Sequence, residues 1–184
     1  MGNTSSGVRS HKGVRYDANG NVISCVFCRL GSTPQRRVTK TYHDGDDFLV
    51  IESRTTYARQ HLLVRESPAC GCLVALLQAH AACAGCRQVI PKHHVKNTGT
   101  LRAADADMVR SMEDLGRRVM QHNFGADQRF VFHFHNPPFN SVDHLHLHCF
   151  MLPFNNCFRA LQNSDTFCWT SDVEDTVRKA AARL

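Results

Sequence analysis

The chain has 184 residues, of which 42% are hydrophobic and 21% charged, with nine cysteines and a formal net charge of +6. These values suit one globular domain with a single core. No run approaches the roughly 18–20 apolar residues of a membrane-spanning helix. An odd cysteine count behind no hydrophobic leader argues against a disulfide framework. The expectation is a reduced, cytoplasmic protein whose thiols are free or metal-bound. The positive charge gathers near the N-terminus, where solvation alone accounts for it, so no nucleic-acid partner is expected.

Residues 1–24 are rich in Gly, Ser and Asn with scattered charge, which predicts a disordered N-terminal tail. Its opening, Met1-Gly2-Asn3-Thr4-Ser5-Ser6, fits an acylation pattern in which Gly2 carries a myristoyl chain. One acyl chain anchors only marginally, and Arg9, Lys12 and Arg15 offer a weak basic supplement, so the expected membrane association is weak. The other reading is a flexible tail that begins with Gly.

Asp47 to Ser53, with Phe-Leu-Val-Ile inside it, predicts a strand, and His61-Leu62-Leu63-Val64 predicts a second. An atypical stretch rich in Ala, Cys and Gly follows before Val89-Ile90-Pro91 resumes strand character. Leu101, Ala104, Met108, Met112, Leu115 and Val119 recur at three- and four-residue steps and predict one long helix. Thr100 is its expected cap, and Asn123 with Gly125 its stop. Phe130-Val131-Phe132 reads as a strand, Asn136-Pro137-Pro138 as a loop, and Val142 to Met151 as another strand. Ser171 and Glu174 form a capping box before a short C-terminal helix. This order predicts an α+β domain over residues 25–184, with a mostly antiparallel sheet of about five strands.

His144-Leu145-His146-Leu147-His148 is the sharpest chemical feature. In a strand the three imidazoles share one face, successive rings roughly 6.5–7 Å apart, while both leucines face the core. A lone histidine is usually a satisfied surface or core residue. Three in strict alternation are costly to bury without a task. Neutral imidazole is a nucleophile and proton carrier near pH 7, and also a metal ligand. His93-His94 and His133/His135 add two further concentrations of histidine, consistent with one composite site.

These residues carry a resemblance. His144 to His148 with Cys149-Phe150 resembles the H-x-H-x-H-φ-φ signature (φ apolar) of the histidine-triad (HIT) superfamily. His61-Leu-Leu-Val with Ile90-Pro91-Lys92-His93-His94-Val95 resembles the family's H-x-L-V-I-P-K-x-H-V segment, and Cys25-Val-Phe-Cys28 its C-x-F-C. Phe134-His135-Asn136-Pro137-Pro138-Phe139-Asn140-Ser141 resembles a HINT-like branch. The resemblance implies a HIT-like fold and cleavage at the α-phosphorus of nucleoside phosphoramidates, with AMP and an amine as products. It implies His146 as nucleophile, His148 as its orienting partner, and His144 and Ser141 as supports. His94, His135, Asn140 and Ser53 would contact the nucleotide. It implies a structural zinc on Cys25, Cys28, His94 and His144, the alternatives being a metal-free or redox cysteine pair. It also offers a homodimer as the family default. A dinucleoside polyphosphate hydrolase and a weakly active nucleotide-binding regulatory module are the rival functions.

Two departures stand out. Counting back from His61, Ser53 occupies the place of the family's ribose-binding Asp, which removes a charge. Excising Val64 to Gln88 joins His61-Leu62-Leu63 to Val89-Ile90-Pro91 and restores the family motif. That segment reads either as a retained intron or as a real insertion, in which Cys70, Cys72, Cys83 and Cys86 would form a small metal knuckle.

Overall fold

A computed structural model describes residues 7–33, 39–53, 86–152 and 169–183. Two antiparallel sheets and three α-helices build it. Strands β1 (Arg9–His11), β2 (Val14–Tyr16) and β3 (Val22–Cys25) form a small meander in the order β1-β2-β3. Helix α1 (Val26–Ser32) follows directly. The main sheet contains β4 (Thr41–Asp44), β5 (Phe48–Glu52), β6 (Arg87–Pro91), β7 (Phe130–His135), β8 (Leu147–Met151) and β9 (Thr170–Ser171). Its spatial order is β4-β5-β6-β8-β7-β9, antiparallel throughout.

The sheet's two faces are separated by strand alternation. Val50, Val89, Phe132, Phe134, Leu147 and Cys149 point to one face and pack with helices α2 (Ala106–Phe124) and α3 (Val173–Ala181). Leu49, Ile51 and Ile90 point to the other, under Phe27 and Leu30 of α1. The period-2 set Val131, His133, His135 shares that second side because Phe132 and Phe134 take the first. The imidazoles of β7 and β8 therefore lie on the face opposite α2.

Helix α2 buries Val109, Met112, Leu115, Gly116 and Met120. Gly116 lets the helix approach the sheet: a Cβ there would lie 2.8 Å from Cys149 Sγ, 3.3 Å from Val89 Cγ2 and 3.4 Å from Phe132 Cε1. Helix propensity favours alanine over glycine by about 1 kcal/mol. Overpacking against fully buried strand side chains costs about 1–3 kcal/mol, so packing wins. Gly116→Ala is expected to lower the thermal midpoint by several degrees, and a midpoint that rises in calorimetry would refute this packing.

Several sequence expectations are corrected. Residues 7–24 are not a disordered tail. They form the small sheet because a two-residue turn at Lys12-Gly13 closes β1 on β2, and Val14 is buried. The long helix starts at Ala106, not after Thr100. Asn97 instead caps a 3₁₀ turn over Thr98–Thr100, and a second 3₁₀ turn spans Ala103–Asp105. Leu101 is nonetheless buried in the core, and Gly125, at φ 95°, ends the helix as read. Helix α3 is capped by Asp172, whose side chain accepts from the Asp175 N–H, while Ser171 belongs to β9. The mostly antiparallel sheet is as expected, and among the described residues it has six strands. Strands β4 and β9 are polar edge pieces without an apolar alternation to announce them.

The triad strand is shorter than expected, beginning at Leu147. Upstream, the Asp143 N–H donates to the Lys12 carbonyl and the Leu145 N–H to the Val95 carbonyl, so that backbone is bound outside the ladder. Gly2, the expected strand at His61–Val64, and Cys70, Cys72 and Cys83 lie outside the described residues. The C-terminal end of the 64–88 segment is described: Arg87 and Gln88 are ordinary β6 residues, paired with Glu52 and Ile51 on one side and with Cys149 and His148 on the other. Among the described residues no helix is long and apolar enough to cross a membrane.

Candidate active site and metal centre

Four ligand-type side chains meet beside α1. Cys25 closes β3 and Cys28 lies one turn into α1, so C-x-x-C spacing turns both thiols the same way. Cys25 Sγ is 3.3 Å from His144 Nδ1. Cys28 Sγ is 3.5 Å from both His144 Nδ1 and His94 Nδ1. All four donor atoms lie within 4.8 Å of one another. His144 Nε2–H donates to the Pro91 carbonyl at 2.9 Å. That bond fixes the tautomer and leaves the Nδ1 lone pair facing the thiols, the arrangement of a metal ligand with its supporting shell. Burial, and then the neighbouring Cys25, pushes the Cys28 thiol up to about 12. Without a cation the Cys28 thiol stays protonated, and a divalent ion is what would make it a thiolate. The donor set fits tetrahedral zinc. His93, adjacent to His94, points outward and is exposed.

His146 follows one step along. Its Nδ1–H donates to the His144 carbonyl at 2.7 Å, which leaves Nε2 with the lone pair. Nε2 is buried and has no hydrogen-bond partner among the described residues. Burial lowers the imidazole's pKa from its ordinary value, so the ring is neutral at pH 7. A neutral imidazole with an uncommitted lone pair is a nucleophile in waiting. His148 is 4.9 Å from the His146 ring, centroid to centroid, and stacks on Phe150. His148 Nε2 is 3.0 Å from His135 Nδ1. His133 lies directly opposite His148 across the β7–β8 ladder and is buried. Phe27 covers the site edge-on, 5.7 Å from the His144 ring and 5.3 Å from that of His146. The C-x-F-C motif contained Phe27, and its aromatic ring was the available signal.

A pocket with walls from Asn97, Thr98, His135, Asn140, His144 and His146 opens beside these rings. Asn140 is buried with its amide committed to protein: Oδ1 accepts from Lys12 Nζ at 2.7 Å and Nδ2 donates to the Val142 carbonyl at 3.0 Å. It shapes the loop rather than offering a free donor. Ser141 is exposed on that loop. Ser53 follows β5, which lies two strands from β8; its hydroxyl is buried, with no partner among the described residues.

Asp143 was missed by sequence reasoning. Its carboxylate is buried and accepts from Tyr16 Oη at 2.6 Å and Asn97 Nδ2 at 2.9 Å, with Lys96 Nζ at 3.7 Å. Burial opposes its ionisation. The hydrogen bonds from Tyr16 and Asn97 and the charge of Lys96 outweigh that and hold the carboxyl below its ordinary range. A lone Asp before the triad carries no sequence signal, because its partners come from two segments distant in the chain, around Tyr16 and at Lys96-Asn97.

The buried imidazoles make stability pH-dependent. Burial first, then the neighbouring imidazoles, holds His135 at about 4 and His148 well below its ordinary value of 6.5. In the unfolded chain both titrate near 6.5. Between pH 6.5 and 4 the unfolded chain binds protons that the folded one refuses, so stability rises with pH across that window. Their contribution is full above about pH 6.5 and falls by up to about 1.4 kcal/mol per group per unit below it. Urea midpoints should fall from pH 7 to pH 5, and less steeply in His135→Gln. Equal slopes would remove His135 from this account.

Comparison with known proteins places the chain. Residues 87–162 match the family model described as "Scavenger mRNA decapping enzyme C-term binding". The chain is 30% identical over 141 residues to the bifunctional adenosine 5'-phosphosulfate phosphorylase/adenylylsulfatase HINT4 of Arabidopsis thaliana, covering 76% of this chain and 77% of that protein. It is 27% identical over 155 residues to the adenosine 5'-monophosphoramidase HINT3 of Danio rerio, covering 84% and 80%. A HIT family hydrolase from Legionella pneumophila superposes with a TM-score of 0.49 at 14% identity, over 73% of this chain and 97% of that one. The chain belongs to the histidine-triad family, on its HINT-like branch.

Proposed function

We infer that the protein hydrolyses nucleoside 5'-phosphoramidates at the α-phosphorus through a nucleotidyl-histidine intermediate. The observation that carries this reading is the His146 imidazole, neutral, fixed by its bond to the His144 carbonyl, with a buried Nε2 that has no partner among the described residues. His146 Nε2 attacks phosphorus and the P–N bond to the amine breaks. Water then displaces the histidine. Across both steps one water is consumed: its oxygen ends on AMP, and a proton leaves with the amine. His148, in contact with His146 and bonded to His135, orients the nucleophile and stabilises the charge it gains. His135 lines the pocket and contacts phosphate, Asn140 and Ser141 form the leaving-group loop, and Ser53 takes the ribose side.

Cys25, Cys28, His94 and His144 would hold a structural zinc. Bound there, the ion would staple α1 to the triad segment and supply no chemistry to phosphorus. The relatives named for phosphoramidase and adenylylsulfatase activity support adenosine conjugates as substrates. Product analysis tests the reading: adenosine 5'-phosphoramidate should give AMP and ammonia faster than diadenosine polyphosphates give mononucleotides. The reverse order would favour a dinucleoside polyphosphate hydrolase. AMP binding with no turnover of either would favour the regulatory module, for which the uncharged Ser53 is the supporting feature.

A further inference from the structure

The turn at Lys12-Gly13 is shaped for a residue other than lysine. It joins β1 to β2 with two residues, both at positive φ: 44° at Lys12 and 74° at Gly13. Such turns favour Asn-Gly, because the Cβ of most other residues is strained against the backbone at positive φ, which asparagine tolerates. A strained non-glycine residue invites a functional reason. Here the reason lies in what Lys12 touches. Its carbonyl accepts from the Asp143 N–H at 3.0 Å. Its Nζ donates to the Pro138 carbonyl and, at 2.7 Å, to Asn140 Oδ1. One residue thus holds both ends of the loop from Pro138 to Asp143, which carries Asn140 and Ser141 and runs into the triad. Tyr16 Oη and His11 Nδ1, flanking the turn on β2 and β1, both reach the Asp143 carboxylate. Gly13 completes the docking, since a Cβ there would lie 3.2 Å from Val26 Cγ2.

We propose that Lys12 is a positioning residue for catalysis, a staple through which the N-terminal sheet sets the shape of the Pro138–Asp143 loop on the leaving-group side of the site. The N-terminal segment is then part of the active-site architecture rather than an appendage to it. Lys12 touches no substrate; it acts through Asn140 and the Pro138 carbonyl. The kinetic consequence rests on the phosphoramidase reading, whereas the effect on the loop does not.

The test uses the full chain and the pair Lys12→Asn and Lys12→Arg. Asparagine suits the turn better than lysine, so Lys12→Asn should fold with an unchanged or higher thermal midpoint while losing the amine. Amide hydrogen exchange over residues 139–143 should nevertheless become roughly tenfold faster, in keeping with the loss of a charge-assisted contact. Turnover of adenosine 5'-phosphoramidate should fall roughly tenfold in kcat, with AMP affinity unchanged. Lys12→Arg, which keeps a cation within reach of the same acceptors, should restore most of both. Unaltered loop exchange in Lys12→Asn overturns the staple, whether or not the wild-type chain turns over this substrate. Wild-type kcat in Lys12→Asn overturns its catalytic role. A lowered midpoint, with kcat per folded molecule unchanged, reduces Lys12 to a stabilising contact and overturns the proposal likewise. A wild-type chain without turnover counts against the phosphoramidase reading, and loop exchange then decides the staple alone.

Discussion

His146→Ala is expected to abolish nucleotide hydrolysis, lowering kcat by roughly 10⁴-fold or more while leaving AMP binding largely intact. The size follows from the mechanism. A residue that merely lined the pocket would lose a contact or two and tens-fold in rate. Removing the atom that bonds to phosphorus removes the two-step route altogether, and only slow direct attack by water remains. His146→Asn, which keeps polarity at a buried position, separates loss of the nucleophile from loss of the fold. The check is turnover of adenosine 5'-phosphoramidate, with AMP affinity measured in parallel. His148→Ala should cost less, because His148 orients and His146 bonds. Equal activity in wild type and His146→Ala would move the chemistry elsewhere.

The second large effect is expected at the proposed zinc site. The purified protein should carry one zinc per chain, and Cys28→Ser should lose it. Two thiols and two imidazoles from three separate segments converge there: Cys25 and Cys28 around α1, His94 after β6, His144 before β8. Without the ion, the two thiols reach the imidazoles only through weak sulfur–nitrogen contacts, and α1 is held to the triad segment there mainly by the packing of Phe27 on His144 and His146. Structural zinc contributes about 10–16 kcal/mol in peptides with little core of their own. A domain with an independent core depends on it less, so a loss of several kcal/mol is expected. At about 2–4 °C per kcal/mol for a chain of this size, the midpoint should drop by roughly 10 °C or more. Elemental analysis and calorimetry check this together. A metal-free wild type as stable as the chelator-treated protein would contradict it.

Much of the site was legible because its spacing is short-range. C-x-x-C turns two thiols to one side, H-x-H-x-H concentrates imidazoles, and neither needs the fold to be known. The apolar stripe of α2 and the runs in β5 and β7 were equally local. The rest depended on partners distant in sequence. Asp143 draws its partners from Tyr16, Asn97 and Lys96, and nothing near it in the chain announces them. The N-terminal sheet looked like a tail because Gly-, Asn- and Ser-rich composition is also the composition of tight turns; Lys12-Gly13 and Ala18-Asn19-Gly20 are turns here. The boundary of the triad strand was misread for the same reason. Alternation continues through His144, while the backbone there bonds to Lys12 and Val95 instead of the sheet. His94 rather than His93 faces the thiols, a choice the family motif pointed to and adjacency alone could not make.

The most direct measurement is to mix the wild-type protein with adenosine 5'-phosphoramidate, quench in alkali within a turnover, and map the product by mass spectrometry. The account predicts an adenylyl group on His146 Nε2, absent from His146→Ala and formed as fast as the amine is released. Adenylation of another residue, or amine release with no protein adduct at any time, would contradict it.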